Sequence, residues 1–132
     1  MHTTDLRVAE DLIAGGVARI ERGLCLGSET KTENGDALSV DIPVSILGHD
    51  GDEAVTLAAG SYVGQVKIIL SNTNNTVTCT PSALAGASTT IATTNIGEVY
   101  ILIWGGAAWF IASRCGGGNA AADAVATMPV LA

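Results

Sequence analysis

Residues 98–113 read EVYILIWGGAAWFIAS, and this stretch carries the clearest indication of the fold. Aromatic and β-branched residues dominate both halves of it, as is typical of strands. Gly105-Gly106 between the halves favours a tight turn that joins two antiparallel strands. The apolar run 99–112 is shorter than the ~20 residues that a membrane-spanning helix needs. The stretch therefore predicts a buried β-hairpin and no partner in a membrane.

The earlier part of the chain repeats the strand pattern in shorter segments. Residues 38–42 alternate apolar and polar side chains, which predicts a strand with one buried face. Turn signals such as Asn34-Gly35 and residues 48–52 separate the segments at intervals of roughly ten residues. The predicted strands are residues 38–42, 44–47, 54–58, 65–70, 76–80, 89–92, 98–104 and 108–113. This spacing predicts an all-β domain, with an antiparallel sandwich, a jelly-roll-like fold or a small barrel as its architecture.

The regions outside the β pattern look like extensions. The chain divides into an N-terminal arm (1–27), a β domain (28–113) and a C-terminal tail (114–132). Residues 3–14 fit either a short helix or an extended arm that orders on a partner. Residues 17–26 alternate loosely and fit a strand, whereas residues 28–36 are polar and fit a loop. We expect the arm and the hairpin to supply the partner-binding side chains, which are Leu6, Leu12, Ile13, Val17, Ile20, Trp104 and Trp109.

Charge is distributed unevenly along the chain. It has 13 acidic and 6 basic residues, a net charge of −7. Residues 1–53 hold 11 of the acids and 4 of the bases, whereas residues 54–132 hold two of each. Nucleic-acid backbones are bound by clustered Lys and Arg, so the acidic balance argues against a nucleic-acid partner. The nearly uncharged second part predicts flat surfaces that another protein chain covers.

Groups that could perform chemistry are few. No spacing typical of a nucleophile elbow, a phosphate-binding loop or a zinc site occurs, so we expect no catalytic residue, no cofactor and no bound metal. Asp50, Asp52 and Glu53 surround a glycine and form either a solvated turn or a set of oxygen ligands for Ca²⁺. Three cysteines without metal-type spacing predict free thiols, and they are Cys25, Cys79 and Cys115.

Trp104 and Trp109 lie on the two arms of the predicted hairpin. Side chains of this size are typical of a core or of an interface. A platform that stacks on sugar rings is the alternative, with Tyr62 as a second stacking residue. The low charge of the surrounding sequence favours packing over sugar binding.

The β region also resembles a known class of proteins. The segments that carry the likeness are LSVDIPVSIL (38–47), VTLAAG (55–60), GQVKII (64–69), TCTPSALAG (78–86), TTI (89–91), IGEVYILIW (96–104) and AWFI (108–111). They resemble the β-rich modules of tailed-phage head decoration proteins and of some tail-fibre or spike proteins, and the likeness extends over about two thirds of the chain.

This resemblance implies a virion structural protein without enzymatic activity, most similar to a head decoration (cement) protein. Such proteins are typically homotrimers, made in the host cytoplasm, that bind the major capsid protein on the capsid exterior and brace the shell. They often reach neighbouring subunits with an extended arm. A head module of a tail fibre or spike that binds a receptor or glycan is the alternative, as is a tail-tube or neck component. The short chain, without a heptad stretch or a fibrous repeat, favours cement over fibre.

Overall fold

Nine strands and no helix make up the part of the chain that the structure describes. This structure is a computed structural model, and it describes residues 15–17 and 19–116. The strands are β1 (Ser28–Lys31), β2 (Ala37–Leu38), β3 (Val44–Leu47), β4 (Glu53–Leu57), β5 (Val66–Ser71), β6 (Val77–Pro81), β7 (Ile91–Thr93), β8 (Val99–Trp104) and β9 (Trp109–Cys115). The prediction of an all-β domain is confirmed.

The strands form two mixed sheets. The five-stranded sheet has the order β1-β3-β5-β8-β9, and the four-stranded sheet has the order β2-β4-β6-β7. From β1 to β6 the chain enters the two sheets alternately, and each strand lies parallel to the preceding strand of its own sheet. The last three strands, β7, β8 and β9, add antiparallel pairs to the two sheets.

The expected antiparallel arrangement is therefore wrong for the first six strands, and the sheets do not close into a barrel. Side chains alternate between the two faces in parallel and antiparallel strands alike, so alternation along the sequence does not report strand direction. The direction follows from the path of the chain. Each strand is followed by one in the other sheet, and the chain then returns to the first sheet in the original direction.

One hydrophobic core receives side chains from both sheets. From the five-stranded sheet come Leu47, Ile69, Tyr100, Leu102, Trp104 and Trp109, and from the four-stranded sheet come Leu38, Val55, Leu57, Val77, Cys79 and Ile91. Each is at most 6% exposed. Burial of apolar surface at about 25 cal/mol per Å² makes this shared core the main source of stability.

The start of the domain differs from its prediction in two places. The described residues between 17 and 26 form no strand, whereas the polar segment Ser28–Lys31 does. β1 lies at the edge of its sheet and pairs only with β3, and none of its four side chains is fully buried. The proposed helix at residues 3–14 and most of the C-terminal tail lie outside the described residues.

Candidate assembly surfaces

The outer face of the five-stranded sheet consists of three rows of side chains across the strands. The rows are Val66, Ile103 and Phe110; Ser28, Val44, Ile68, Ile101 and Ser113; and Thr30, Ile46, Leu70, Val99 and Cys115. Nine of these thirteen side chains are aliphatic or aromatic, and none is charged. None is fully buried, and Phe110 is 54% exposed. We call this surface the apolar face.

The inner face of the same sheet is more polar. Lys67 on β5 is completely buried there, and its ammonium donates to the carbonyl oxygens of Ser39 at 2.5 Å and Ile42 at 2.8 Å. Its Nζ lies 3.6 Å from Glu29 Oε1 on β1. That oxygen also accepts from Ser45 Oγ at 2.6 Å and from the Ser39 amide at 2.8 Å. The buried charges thus form one hydrogen-bonded group that joins β1, β3 and β5 to the segment after β2.

Burial and pairing change the pKa values in this group. Burial lowers the pKa of Lys67, and the nearby Glu29 carboxylate only partly opposes that change. For Glu29, burial raises the pKa, but hydrogen bonds from Ser45 and Ser39 and the charges of Lys67 and Lys31 together outweigh burial, so the net pKa is lowered. Burial also raises the pKa of the Cys79 thiol to about 12, so this thiol stays protonated and unreactive.

The outer face of the four-stranded sheet has a different character. Its register gives two rows of small neutral side chains, Ala37, Thr56 and Thr80 in one and Ala54, Thr78 and Ala92 in the other. Threonine hydroxyls remain hydrated on an exposed strand, so this face does not need a covering partner. The two outer faces therefore differ in how strongly they favour association.

Trp104 and Trp109 belong to the core. Trp109 is 0% exposed and its Nε1 donates to the Ala58 carbonyl at 2.9 Å, while the rings of the two tryptophans meet edge to face at 5.3 Å. Neither ring is presented to a partner or a sugar, whereas Tyr62 is 73% exposed. The exposed aromatic side chain of the hairpin is Phe110, which was not among the residues expected to bind a partner.

The described part of the arm exposes apolar side chains. Val17 is 96% and Ile20 56% exposed, and Leu24 and Leu26 are exposed as well. None of them lies in a strand. The other three arm residues expected to bind a partner, Leu6, Leu12 and Ile13, lie outside the described residues.

The acidic turn is organised by hydrogen bonds. Asp52 Oδ1 accepts from the Thr76 amide at 2.8 Å, and buried His49 donates through Nε2 to the Glu33 carbonyl at 3.0 Å. His49 Nε2 lies 3.9 Å from Glu53 Oε2. Over residues 15–17 and 19–116, no three His, Cys, Asp or Glu side chains are grouped so that they could hold a metal ion. The calcium hypothesis for Asp50, Asp52 and Glu53 gains no support.

The signal for the apolar face was present in the sequence. VKIIL on β5 and VYILIW on β8 are apolar at almost every position rather than at alternate ones. Strands with this composition are typical of sheets covered on both faces. The low charge of the second part of the chain predicts partner surfaces in general, but it does not indicate which face of which sheet forms them.

No model of a known protein family matches the chain, and no curated protein matches it. Within the described residues, no helix is both long enough and apolar enough to cross a membrane.

Proposed function

We propose that this chain is a phage capsid decoration protein that binds the assembled shell of the major capsid protein from outside and stabilises it. In this role it acts as a structural component, without catalysis, and as a homotrimer. The observation that carries the proposal is the exposure of the arm, where Val17, Ile20 and Leu24 are more than half exposed and the described residues form no strand. Exposed apolar side chains on such a segment are typical of a chain that docks into a neighbouring protein.

Two further features support this role. The resemblance of the β region to decoration modules suggests the class of partner. A protein that binds only the assembled shell stabilises it by linkage, because its binding free energy is lost when the shell comes apart. An arm that places several apolar side chains on the lattice supplies that binding free energy without requiring a pocket.

The finer architecture also belongs to this proposal. We propose that the two sheets pack face to face as a sandwich, since both contribute to one core. A sandwich presents its two outer faces in fixed relative positions, as a repeated contact with a shell lattice requires.

The test compares shells loaded with the parent chain and shells loaded with a variant in which Val17, Ile20 and Leu24 are replaced by Ser. We expect the variant to dissociate from expanded heads and to leave them as sensitive to heat and osmotic shock as undecorated heads. The matched control replaces Thr56, Thr78 and Thr80 by Ser on the four-stranded sheet and should protect the heads like the parent chain. If the arm variant protects the shells equally well, the proposal is wrong.

A further inference from the structure

We propose that the apolar face of the five-stranded sheet is the surface through which copies of this chain associate with one another. The inference deepens the proposed assembly role and rests on it for the expectation that copies meet. It assigns to the second copy a surface distinct from the arm, which the proposed function assigns to the shell.

The composition of the apolar face indicates that it is covered. At its centre, Ile68 on β5 pairs with Ile101 on β8, and Val44 and Ser113 continue the row on either side. The neighbouring rows hold Val66, Ile103 and Phe110 and then Leu70 and Val99 in the same register. The outer face of this sheet therefore carries mainly aliphatic side chains and no charged one, unlike a sheet whose outer face meets water.

The central strands β5 and β8 carry aliphatic side chains on both of their faces. On β5 the inward Ile69 is completely buried, and the outward Ile68 and Leu70 are also aliphatic. On β8 the inward Leu102 is completely buried, and outward Ile101 lies between two other aliphatic side chains. Strands that are apolar on both faces occur in proteins where a second layer covers each face. The four-stranded sheet contributes to the shared core on one side, and a partner supplies the layer on the other.

The distribution of charge favours a second copy as that partner. The net charge of −7 comes from residues 1–53, so two copies repel one another where those residues approach. The apolar face has no charged side chain, so three copies that turn this face toward a common axis bring no like charges together there. A basic partner would instead be attracted to residues 1–53, which hold 11 of the 13 acids.

The size of the face fits the centre of such an interface. The five strands have between four and seven residues. At about 4.8 Å between strands and about 3.3 Å per residue, they cover roughly 350 Å². A standard interface buries about 800 Å² on each partner, with an apolar centre and a more polar rim. Exposed Tyr62 and Val63 lie outside the three rows, in the segment just before β5, and add to the area available for the rim.

The test replaces Ile101 at the centre of the face by Lys and measures self-association of the full chain by sedimentation equilibrium, without shells. The parent chain should form a small closed oligomer, and Ile101→Lys should weaken its association by more than about tenfold, because an unpaired charge is then buried in the interface. The matched control is Thr78→Lys at the corresponding position on the four-stranded sheet, which should associate like the parent. Circular dichroism checks that both variants keep their β content.

A second variant separates an interface effect from a folding defect. Ile101→Glu should be as monomeric as Ile101→Lys, and an equal mixture of the two should associate again, because opposite charges then meet at the interface. A monomeric parent chain would overturn the inference, as would equal association of the Ile101→Lys and Thr78→Lys variants. Because no shell is present, this failure is distinct from failure of the proposed function, which is read from binding of the arm to shells.

Discussion

Lys67 shows how a single charged side chain is accommodated inside a small β domain. Its ammonium is held by two carbonyl oxygens and by Glu29, so each of its donors has a partner within 3.6 Å. Burying a charge without such partners costs several kcal/mol, which explains why the carbonyls of Ser39 and Ile42 converge on it. The segment between β2 and β3 is thereby fixed against β5.

The Glu29 carboxylate gives the fold a defined acid sensitivity. Its pKa is lowered below the ordinary value of 4.5, so its ionised form stabilises the folded state above that pH. This stabilisation is lost as the pH falls below 4.5 and through the lowered pKa, because the folded state must then take up a proton it disfavours. Glu29→Gln removes the titration, so its free energy of unfolding should depend less steeply on pH in that acid range.

Urea unfolding of the parent chain and of Glu29→Gln, at several pH values on both sides of 4.5, checks this prediction. Glu33→Gln is the control because Glu33 is exposed, and its pH profile should follow that of the parent. Parallel profiles for the parent and Glu29→Gln would show that Glu29 is not a source of the acid sensitivity.

Gly60 is required because the backbone passes against the Trp104 ring. A Cβ at this position would overlap Trp104 Cγ and lie 2.7 Å from Trp104 Cβ, and neither atom is the free end of a flexible side chain. We expect Gly60→Ala to lower the free energy of unfolding by about 1–3 kcal/mol through overpacking. Thermal or urea denaturation measures the change.

The control for this substitution is Gly48→Ala. A Cβ there would meet only the methyl groups of Thr32 and Thr30, at 3.8 and 3.9 Å, which are ordinary contact distances. Its stability should stay within about 0.5 kcal/mol of the parent. Equal effects of the two substitutions would contradict the assigned role of Gly60.

At the scale of the strands, the sequence predicted most elements and missed their directions. Val44–Leu47 was predicted with its observed bounds, and the hairpin strands β8 and β9 begin within one residue of their predicted starts. The hairpin loop is residues 105–108 rather than two residues, because Trp104 pairs with Trp109. Strong apolar patterns define where strands lie, whereas parallel pairing depends on how the chain crosses between sheets.

β1 was missed because its sequence, SETK, contains no apolar residue. Its inward Glu29 is held by Lys67 and Ser45, which are distant in sequence, so nothing local identifies the segment as a strand. The loose apolar alternation of residues 17–26 had the opposite effect and suggested a strand that the structure does not contain. For both segments, tertiary contacts and not the local apolar pattern determine whether a strand forms, because strand formation depends strongly on context.

The hairpin supplies a prediction at the same scale. Trp109 faces inward and is completely buried, whereas its neighbour Phe110 faces outward and is 54% exposed. Trp109→Ala should therefore lower the free energy of unfolding by about 3–5 kcal/mol, and Phe110→Ala by only about 1–2 kcal/mol. Urea unfolding at low protein concentration measures both. If the two substitutions lower the free energy of unfolding equally, the assignment of Trp109 to the inner face and Phe110 to the outer face is incorrect.

For the whole molecule, the number of charged residues and the character of the surface differ between the first 53 residues and the rest of the chain. The acidic residues lie mainly in its first 53 residues, and the nearly uncharged remainder forms most of the apolar face and most of the four-stranded sheet. Most of the partner-binding side chains expected from the sequence lie on the arm, and Val17 and Ile20 are indeed exposed there. The two expected on the hairpin are core residues instead. Size and aromatic character identified them, but neither property distinguishes a core position from an interface.

The measurement that tests the proposed function most directly is co-sedimentation of the purified full-length chain with expanded phage heads that lack it. We predict saturable binding with a fixed number of copies per shell, and heads that withstand heating better as the sites fill. A chain that stays in the supernatant at all concentrations, and heads whose heat resistance does not change, would contradict the account.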